Sequence, residues 1–576
     1  MKSNRRTFFL NSLALGAAAA LPVSGGTEAQ AKRRLPLRGL AELKNVSVRG
    51  ELGTRYQAAT CNLLTRQDRY SLDVFRCNAL GIPEPVWEGW PWPGDLIGRH
   101  LSNLHVAAPL GWSTARQRQI EILNTALPLQ RRLGNFGADP PKVTDVEVIS
   151  GNAFALRGLM DAYEDTQDQR ALAAAQRLAA FFAANFDYYK DRGPIGSMHE
   201  FYGHCLDGLV RLHVLAGDPD ALTLAERIAA RTGLTSHTHH SLSMYRGVLE
   251  LYNVTGNSDY LQHAEAYLAW VRANRIVTGG VPEAMPKSKQ DEGCALADYV
   301  MVNLMMFRAT GRAVYLDEAE NTLVNHLFMN QFHTGGFGHR LYDVEIVGGK
   351  GWQGWDGKYG SENPGCCSLW GQWALAQVGQ YVATQYERAI EVNLYPTAEV
   401  SLADPGLTLR MESDFPRMRE AQLTIYVAPR TPLELRLRVP GWAEGVTAEV
   451  NGAPAATRQT EGRVLLRRTW RPGDRVRLQF ASSLRLVRWP AADAARAAVF
   501  DGPLCLGLSN AEGDVDTPLR VAALKGKLAL GADGQPQLLG ANGSSAVKLR
   551  PIAEDWLAPD VFTPHRLRVL FAVAEA

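Results

Sequence analysis

A phrase that occurs four times constrains the fold of this chain more than any other feature. It reads AGDPDALTLAE from Ala216, TGNSDYLQHAE from Thr255 and TGRAVYLDEAE from Thr310, with a weaker copy, TQDQRALAAAQ, from Thr166. In each copy we expect one helix to end at a glycine-type turn and the next to begin with Leu and Ala at helical spacing. The copies begin about 40 to 55 residues apart, which is the length of one helical hairpin.

Helical hairpins of this kind stack into one of two architectures. They form either an open solenoid, which binds proteins, or a closed α/α toroid whose helix ends surround a central cavity. The copies here are degenerate, and polar and aromatic residues cluster in the long loops between them. We therefore expect a toroid over residues 32–385 with a pocket for a small polar ligand, and the protein-binding solenoid is the alternative.

The pattern changes after about residue 386. Stretches such as LTLRMES, AQLTIYVAP, LELRLRVPGW and RVRLQFA alternate between apolar and polar residues and are separated by turn residues. This predicts an antiparallel β-sandwich over residues 386–576. The strand-like segment near residues 46–55, VSVRGELG, is a candidate to pair with the sandwich. The chain is therefore expected to be a multidomain α+β protein.

Residues 1–31 have the features of an export signal. Arg5 and Arg6 precede the apolar run LALGAAAALPV, and Ala29-Gln30-Ala31 provides a cleavage site. The paired arginines favour the twin-arginine route, which implies a periplasmic or secreted protein. A membrane anchor is the alternative, but the run is short for a transmembrane helix, so we expect no stable membrane insertion.

The charge balance argues against nucleic acid as a partner. The 61 basic and 59 acidic residues give a formal charge of +2, so nucleic acid is not an expected partner. Seven cysteines in 576 residues are too few for a disulfide framework. The oligomeric state is not indicated by the sequence.

The cysteines point instead to a metal site. Glu292-Gly293-Cys294 begins one apolar helix, and Cys366-Cys367 begins another after a long loop rich in Gly and Trp. Three thiols and a carboxylate are a suitable donor set for a tetrahedral Zn²⁺ ion. A metal ion would also keep a thiol ionised near neutral pH, so that it could serve as a nucleophile. Three unrelated buried cysteines, or a strained vicinal disulfide, are the alternatives.

A candidate proton donor lies close to this site in the sequence. Glu283 sits in a Gly-Gly-Val-Pro-Glu turn nine residues before Glu292. Displacement at a sugar carbon needs a nucleophile and a proton donor, and Glu283 could be that donor. Glu345 and Glu362 are rivals for the role, and a solvated turn glutamate is the simpler interpretation.

Histidines and tryptophans supply candidate sugar contacts. His100, His204 and His237, the last within the run HTHH, each open a helical segment and could hydrogen-bond sugar hydroxyls, although a structural role is equally plausible. The segment VWEGWPWPGD, which includes Trp90, could stack on the face of a sugar ring or pack into the core. We take these four residues as the candidate substrate-binding residues.

With these residues assembled, the chain resembles glycoside hydrolase family 127, the β-L-arabinofuranosidase family, from about residue 50 to 510. The most specific parts are E-x-C at Glu292 and the Cys366-Cys367 pair, supported by IGRHLSNLHVA, HTHHSLSMYRGVLELYNVTG and LRVPGWAEGVTAEVNG. The resemblance implies an α6/α6 barrel with β-sandwich modules. It also implies a set of zinc ligands, which are Glu292, Cys294, Cys366 and Cys367.

The resemblance implies roles in catalysis as well. Cys366 matches the nucleophile that forms a glycosyl-thioether intermediate, and Glu283 lies where the general acid/base lies. His204 and His237 match histidines that contact the sugar, whereas His100 is one residue out of register. The chain departs from the family pattern at Gly293, where threonine is usual, at Ser368-Leu369, where prolines are common, and in the short interval from Glu283 to Glu292.

We therefore expect an exported retaining glycoside hydrolase, similar to β-L-arabinofuranosidases, that acts on plant-type glycans with a zinc-bound cysteine thiolate as nucleophile. A polysaccharide lyase is one alternative, because α/α toroids with β-sandwiches also host β-elimination. A non-catalytic sugar-binding protein with a structural zinc ion is the other.

Overall fold

The computed structural model describes residues 36–575, with gaps at 81–91, 138–145, 193–199, 234, 236, 286–289, 344–345, 349–364, 456–457, 490–495, 511–512, 514, 516–519, 525–526, 529–537, 541–542, 546–548 and 558–565. The predicted export signal over residues 1–31 lies outside the described residues. Within the described ranges, no helix combines the length and the apolar character needed to cross a membrane.

The chain is helical up to about residue 380. The helices, labelled in chain order, are α1 Gly50–Asn62, α2 Asp68–Leu80, α3 Asp95–Ala107, α4 Ala115–Ala126, α5 Val146–Thr166, α6 Gln169–Tyr189, α7 Glu200–Gly203, α8 Cys205–Ala216, α9 Pro219–Ala229, α10 Thr238–Thr255, α11 Ser258–Asn274, α12 Gly293–Thr310, α13 Ala313–Asn321, α14 Phe328–Asn330 and α15 Cys366–Val378. Two segments are π-helical, Leu63–Gln67 after α1 and Thr322–Leu327 after α13.

Six of these helices form a closed inner ring. Helix α3 packs on α5, α5 on α8, α8 on α10, α10 on α12, α12 on α15, and α15 packs on α3 again. Helix α12 is buried on nearly every side, as expected for a helix that is apolar all round. The outer helices α1, α4, α6, α9, α11 and α13 cover the ring. The prediction of an α6/α6 toroid is confirmed, and the open solenoid is wrong.

The repeated phrase marks the turn from an inner to an outer helix. Gly217, Gly256 and Gly311 end α8, α10 and α12 in the left-handed conformation, with φ of 70°, 71° and 74°. Asp218 and Asn257 then cap α9 and α11 through their side chains. Local backbone chemistry therefore sets the bend of these hairpins.

The C-terminal part is built from strands. Labelled in chain order, all strands are β1 Gly39–Leu40, β2 Val46–Val48, β3 Gln290–Glu292, β4 His339–Asp343, β5 Ile346–Gly348, β6 Ala383–Tyr386, β7 Ala389–Val392, β8 Ala398–Leu402, β9 Leu407–Ser413, β10 Glu420–Val427, β11 Leu433–Arg438, β12 Gly445–Val450, β13 Ala453–Pro454, β14 Arg458–Thr460, β15 Arg463–Arg468, β16 Arg475–Ala481, β17 Leu484–Arg488, β18 Arg496–Asp501, β19 Leu504–Ser509, β20 Arg520–Leu524, β21 Lys527–Leu528, β22 Leu538–Gly540, β23 Gly543–Ser545, β24 Arg550–Pro551, β25 Arg566–Arg568 and β26 Phe571–Glu575.

Two sheets make the predicted sandwich. One has the strand order β1-β6-β7-β11-β15-β14 and the other β13-β12-β16-β10-β9-β8-β2. Side chains on β8, β9 and β10 alternate between buried and partly exposed positions, as expected when sheets pack face to face. The pairings are antiparallel apart from β7 with β11. Strand β2, which lies in VSVRGELG, pairs with β8.

A third sheet connects the C-terminal region to the barrel. Its path runs β23-β22-β20-β26-β18-β19-β25-β5-β4-β3. Strand β25, near the end of the chain, pairs with β5, and β4 pairs with β3. Since β3 ends at Glu292, immediately before α12, this sheet fixes the direction in which the chain enters that inner helix.

Candidate active site

The first turns of the six inner helices meet at one end of the barrel. This follows from contacts between side chains that lie at or near the start of each helix. These contacts are Arg99 on α3 to His239 on α10 at 3.1 Å, Arg99 to Cys294 on α12 at 3.8 Å, Cys294 to Cys367 on α15 at 3.8 Å, and Ser150 on α5 to His204, before α8, at 3.0 Å.

Five of these helix starts, those of α3, α8, α10, α12 and α15, have no side-chain cap in the described part of the chain. By contrast, the outer helices α6, α9 and α11 are capped by Asp168, Asp218 and Asn257. Uncapped N–H groups and the helix dipoles favour anions at this end of the barrel.

The predicted ligand residues converge at this end. Glu292, Cys294, Cys366 and Cys367 each offer a donor atom, and these atoms lie within 4.8 Å of one another. The Sγ atom of Cys367 is 3.8 Å from that of Cys294 and 3.9 Å from that of Cys366. A disulfide needs about 2.05 Å, so the vicinal disulfide is excluded here and the four residues form a group that could hold a metal ion.

Cys366 differs from the other three members of this cluster in its exposure. Glu292, Cys294 and Cys367 are buried, whereas the side chain of Cys366 is partly exposed. It packs, together with Trp92, against a small apolar group formed by Leu63, Val74, Leu96 and Leu369. Of the four residues, Cys366 is therefore the one that is not fully covered by the described part of the chain.

The cluster is assembled where β3 meets α12 and where α15 begins. Glu292 pairs with His339 across β3 and β4, and the N–H of Gly293 donates to the carbonyl of Gly338 at 2.9 Å. A Cβ atom at Gly293 would lie 3.1 Å from atoms of Asn330, Phe337 and Cys367. Glycine therefore suits this tightly packed position, where the resemblance implies a threonine.

Arg99, which the sequence analysis missed, supplies a positive charge beside the sulfurs. Its Nε donates to Asp95 Oδ1 at 2.7 Å, and its guanidinium lies 3.6 Å from the centre of the Phe154 ring. Its Nη2 is 3.1 Å from His239 Nε2, and its Nη1 is 3.8 Å from Cys294 Sγ. The sequence did contain a signal for Arg99, because this residue lies next to His100 in IGRHLSNLHVA, one of the segments that support the family resemblance.

His239 is held by a buried carboxylate. Its Nδ1 lies 2.7 Å from Asp298 Oδ2, and Trp370 Nε1 donates to Asp298 Oδ1 at 2.7 Å. A carboxylate accepts hydrogen bonds, so Nδ1 carries the proton and Nε2 accepts from Arg99. Burial, with Arg99 and His237 nearby, lowers the pKa of His239 well below its ordinary value, which keeps the ring neutral.

The predicted substrate-binding histidines divide into two groups. His204 and His237 lie at the end of the barrel where the helix starts meet: His204 Nδ1 is bonded to Ser150, and His237 Nε2 is 3.3 Å from Glu283 Oε1 and 3.6 Å from Glu292 Oε2. His100 instead faces outward, with its Nε2 3.1 Å from Asp68 on α2. The other candidates Trp90, Glu345 and Glu362 lie outside the described residues.

Glu283 lies beside these candidate ligands, since His237 contacts both Glu283 and Glu292, and it is partly exposed. Its backbone is fixed to the start of α10, because the N–H of Thr238 donates to its carbonyl at 2.7 Å and the Thr238 hydroxyl donates to the carbonyl of Pro282 at 2.6 Å. The carboxyl group of Glu283 and that of Glu292 therefore both lie against the ring of His237.

The electrostatics single out one thiol. Hydrogen bonds from Cys294 and Cys367, helped by Arg99, lower the pKa of Cys366 well below its ordinary value. Burial raises the pKa of both Cys294 and Cys367. Burial also raises the pKa of Glu292 to about 8, assisted by Cys366 and Glu283 and opposed by His237 and Arg99. The partly exposed sulfur is therefore the one that is most easily ionised.

Comparisons with known proteins agree with this geometry. Residues 153–380 match the β-L-arabinofuranosidase GH127 catalytic domain, and residues 389–482 match the GH127 middle domain, which together cover more than half of the chain. The chain belongs to glycoside hydrolase family 127. It is therefore a glycoside hydrolase, which hydrolyses glycosidic bonds. The family assignment decides against the two alternatives, a polysaccharide lyase and a non-catalytic sugar-binding protein.

Solved structures extend the likeness over nearly the whole chain. A GH127 β-arabinofuranosidase is 18% identical with a TM-score of 0.71, over 93% of this chain and 98% of that chain. A GH127 β-L-arabinofuranosidase from Geobacillus stearothermophilus T6 is 15% identical with a TM-score of 0.66, over 92% and 100%. At such low identity these structures support the fold alone. No curated protein sequence matches the chain.

The exposure and pKa pattern predicts which thiol reacts first. In metal-free protein near neutral pH, iodoacetamide should modify Cys366 about tenfold faster than the exposed Cys61, because the thiolate is the reactive form. The buried Cys505 is the matched slow control. Peptide mass spectrometry over a time course measures the rates. Equal protection of Cys366 and Cys505 would contradict the assignment of Cys366 as the accessible thiol.

Proposed function

We propose that this family 127 enzyme is an exported, retaining β-L-arabinofuranosidase-like hydrolase, in which a zinc-bound Cys366 thiolate is the nucleophile on plant-type glycans. The observation that carries the proposal is the convergence of Glu292, Cys294, Cys366 and Cys367, among which Cys366 alone is partly exposed. A ligand at the cavity wall can bind a metal ion and also meet a substrate.

The donor set fits zinc. Zinc–sulfur bonds of about 2.3 Å at tetrahedral angles put neighbouring sulfurs about 3.8 Å apart, and here the Sγ atom of Cys367 lies 3.8 Å from that of Cys294 and 3.9 Å from that of Cys366. Glu292 Oε2 is buried without a hydrogen-bond partner among the described residues, which is costly for a carboxylate unless a cation binds it. When bound, zinc supplies the charge that keeps its sulfur ligands deprotonated.

Two displacements at one carbon give retention of configuration. The Cys366 thiolate attacks the anomeric carbon, so that a carbon–sulfur bond forms while the glycosidic carbon–oxygen bond breaks, and Glu283 gives its proton to the leaving oxygen. Glu283, now a carboxylate, then takes a proton from water, whose oxygen displaces the sulfur and regenerates the thiolate.

The neutral histidines support a small polar substrate. Burial lowers the pKa of His204 and of His240 well below the ordinary value, so both rings stay neutral and can donate and accept hydrogen bonds. The Nε2 atom of His204 and the Nδ1 atom of His240 are buried with no hydrogen-bond partner in the described ranges. Hydroxyl groups of a sugar would satisfy both atoms. The solved β-arabinofuranosidase structures motivate arabinofuranose as the sugar.

Replacing Cys366 by Ser should lower turnover of an aryl β-L-arabinofuranoside by more than about 10³-fold, because a serine hydroxyl is not ionised near neutral pH. Cys61→Ser, at an exposed cysteine, should stay fully active. A chelator should remove both zinc, measured by elemental analysis, and activity. An active Cys366→Ser variant rejects the nucleophile role, and an active zinc-free enzyme rejects the metal.

Replacing Glu283 by Gln should slow alkyl arabinofuranosides at least about 100-fold more than nitrophenyl arabinofuranosides, because a nitrophenolate can leave without a proton. Values of kcat/KM on a series of leaving groups measure this difference, because they report the first displacement and not the later attack of water; retained zinc content shows that the site is intact. A loss of equal size for every leaving group would mean that Glu283 is not the acid.

Replacing Arg5 and Arg6 together by Lys should keep the protein in the cytoplasm of the expressing bacterium, because the twin-arginine route requires the pair. Arg33 and Arg34 form a second pair just beyond the signal, and their replacement by Lys is the matched control that should not affect export. Cell fractionation followed by immunoblotting measures the outcome. Continued export of the first variant contradicts the assigned route.

A further inference from the structure

Two adjacent carboxylates, those of Asp291 and Glu292, are buried at the end of β3, and only Glu292 lies beside the three cysteine sulfurs. Asp291 is 0% exposed and Glu292 is 4% exposed. Successive side chains of a strand point to opposite faces, so Glu292 faces the sulfurs and Asp291 faces away from them. A slip of one residue in the pairing of β3 with β4 would exchange the two acids.

Asp291 is held by a second set of contacts. Its Oδ2 is hydrogen-bonded to His326 Nδ1, and its Oδ1 accepts from the N–H of Val281 at 3.1 Å. The Nε2 of His326 is 2.7 Å from the Thr278 hydroxyl. Thr278, His326 and Asp291 are all 0% exposed. A Thr-His-Asp order can also mark a nucleophile with its base, but Thr278 is linked through His326 to Asp291, on the side of β3 that faces away from the sulfurs and Glu292.

His326 lies in the π-helical segment Thr322–Leu327, a conformation that often occurs near functional sites. The same segment holds the turn that leads to Glu283, because the Thr322 hydroxyl donates to the carbonyl of Gly279 at 3.0 Å. A Cβ atom at Gly280 would lie 2.8 Å from His326 Cε1, so this turn needs glycine to approach the ring. One helical segment therefore fixes both the strand of Glu292 and the turn before Glu283.

We propose that Thr278, His326 and Asp291 are positioning residues that lock the register of β3, so that Glu292 rather than Asp291 faces the metal and Glu283 stays beside it. The role rests on the proposed metal-dependent function. Residues that orient metal ligands typically change metal affinity about 10- to 100-fold when replaced.

The test is the rate at which zinc-loaded protein loses zinc to a chromogenic chelator. His326→Gln keeps a polar atom near the Nε2 position but loses the donor to Asp291, whereas His326→Asn keeps a donor near the Nδ1 position. We expect His326→Gln to lose zinc at least about tenfold faster than wild type, and His326→Asn to resemble wild type. If the ring only filled space, the smaller Asn would be the worse replacement, so the opposite order overturns the proposal.

Asn325→Ala controls for general damage to the same segment. Asn325 is also 0% exposed, but it bonds the carbonyl of Pro503 and the N–H of Cys505, on the side of the third sheet. The Asn325→Ala variant should be less stable than wild type but should lose zinc no faster. If His326→Gln does not fold, Thr278→Val, with Thr278→Ser as its rescue, carries the same test. Wild-type protein that takes up no zinc refutes the proposed function, whereas zinc-binding wild type with an unaffected His326→Gln refutes this inference alone.

Discussion

Glu292, Cys294, Cys366 and Cys367 gather acidic groups at one end of the barrel, where positive charge favours their ionised forms, and the inner ring supplies that charge in two forms. Each uncapped helix start contributes roughly half a positive charge from its N–H groups. Arg99 adds a full charge: burial opposes its ionisation, but Asp95, Cys294 and Cys366 raise its pKa, so the guanidinium stays charged. Hydrogen bonds from Cys294 and Cys367, assisted by the charge of Arg99, lower the pKa of Cys366, whereas burial raises the pKa of the other two thiols.

Holding Arg99 in place makes the interior of the barrel polar. Asp298, which fixes His239, is also 3.0 Å from Arg246 Nε, and Arg246 Nη1 is 3.0 Å from Asp207. These charges are buried with partners of opposite sign, and removing one partner would leave the other uncompensated. An apolar core of the same volume could be as stable, but Arg99 would then lose its orientation beside the sulfurs. The polar core thus serves the site more than the fold.

The sequence predicted the parts of the fold and site that depend on local signals. A glycine turn followed by a capping residue such as Asp218 can be recognised from a few adjacent residues, and E-x-C with a double cysteine is a rare pattern. Arg99 was missed because α3 is buried on nearly every side, so hydrophobic periodicity does not show which face meets the cavity. Neighbouring residues on a helix point about 100° apart, so Arg99 and His100 lie on different faces of α3, and Arg99 is on the face that contacts the sulfurs.

Two of the departures from the expected family pattern, Gly293 and Ser368, both contact Phe337. The missing side chain at Gly293 leaves room for the Cβ of Phe337, and Gly371 leaves room for its ring, since a Cβ there would lie 2.3 Å from Cδ2. Ser368, which stands where proline is common, accepts a hydrogen bond from the N–H of Phe337 at 3.0 Å and donates to its carbonyl at 3.1 Å. A proline could make neither bond. The changes therefore fasten α15 to the segment that supports Glu292, and they alter the wall behind the cluster without altering its donor atoms.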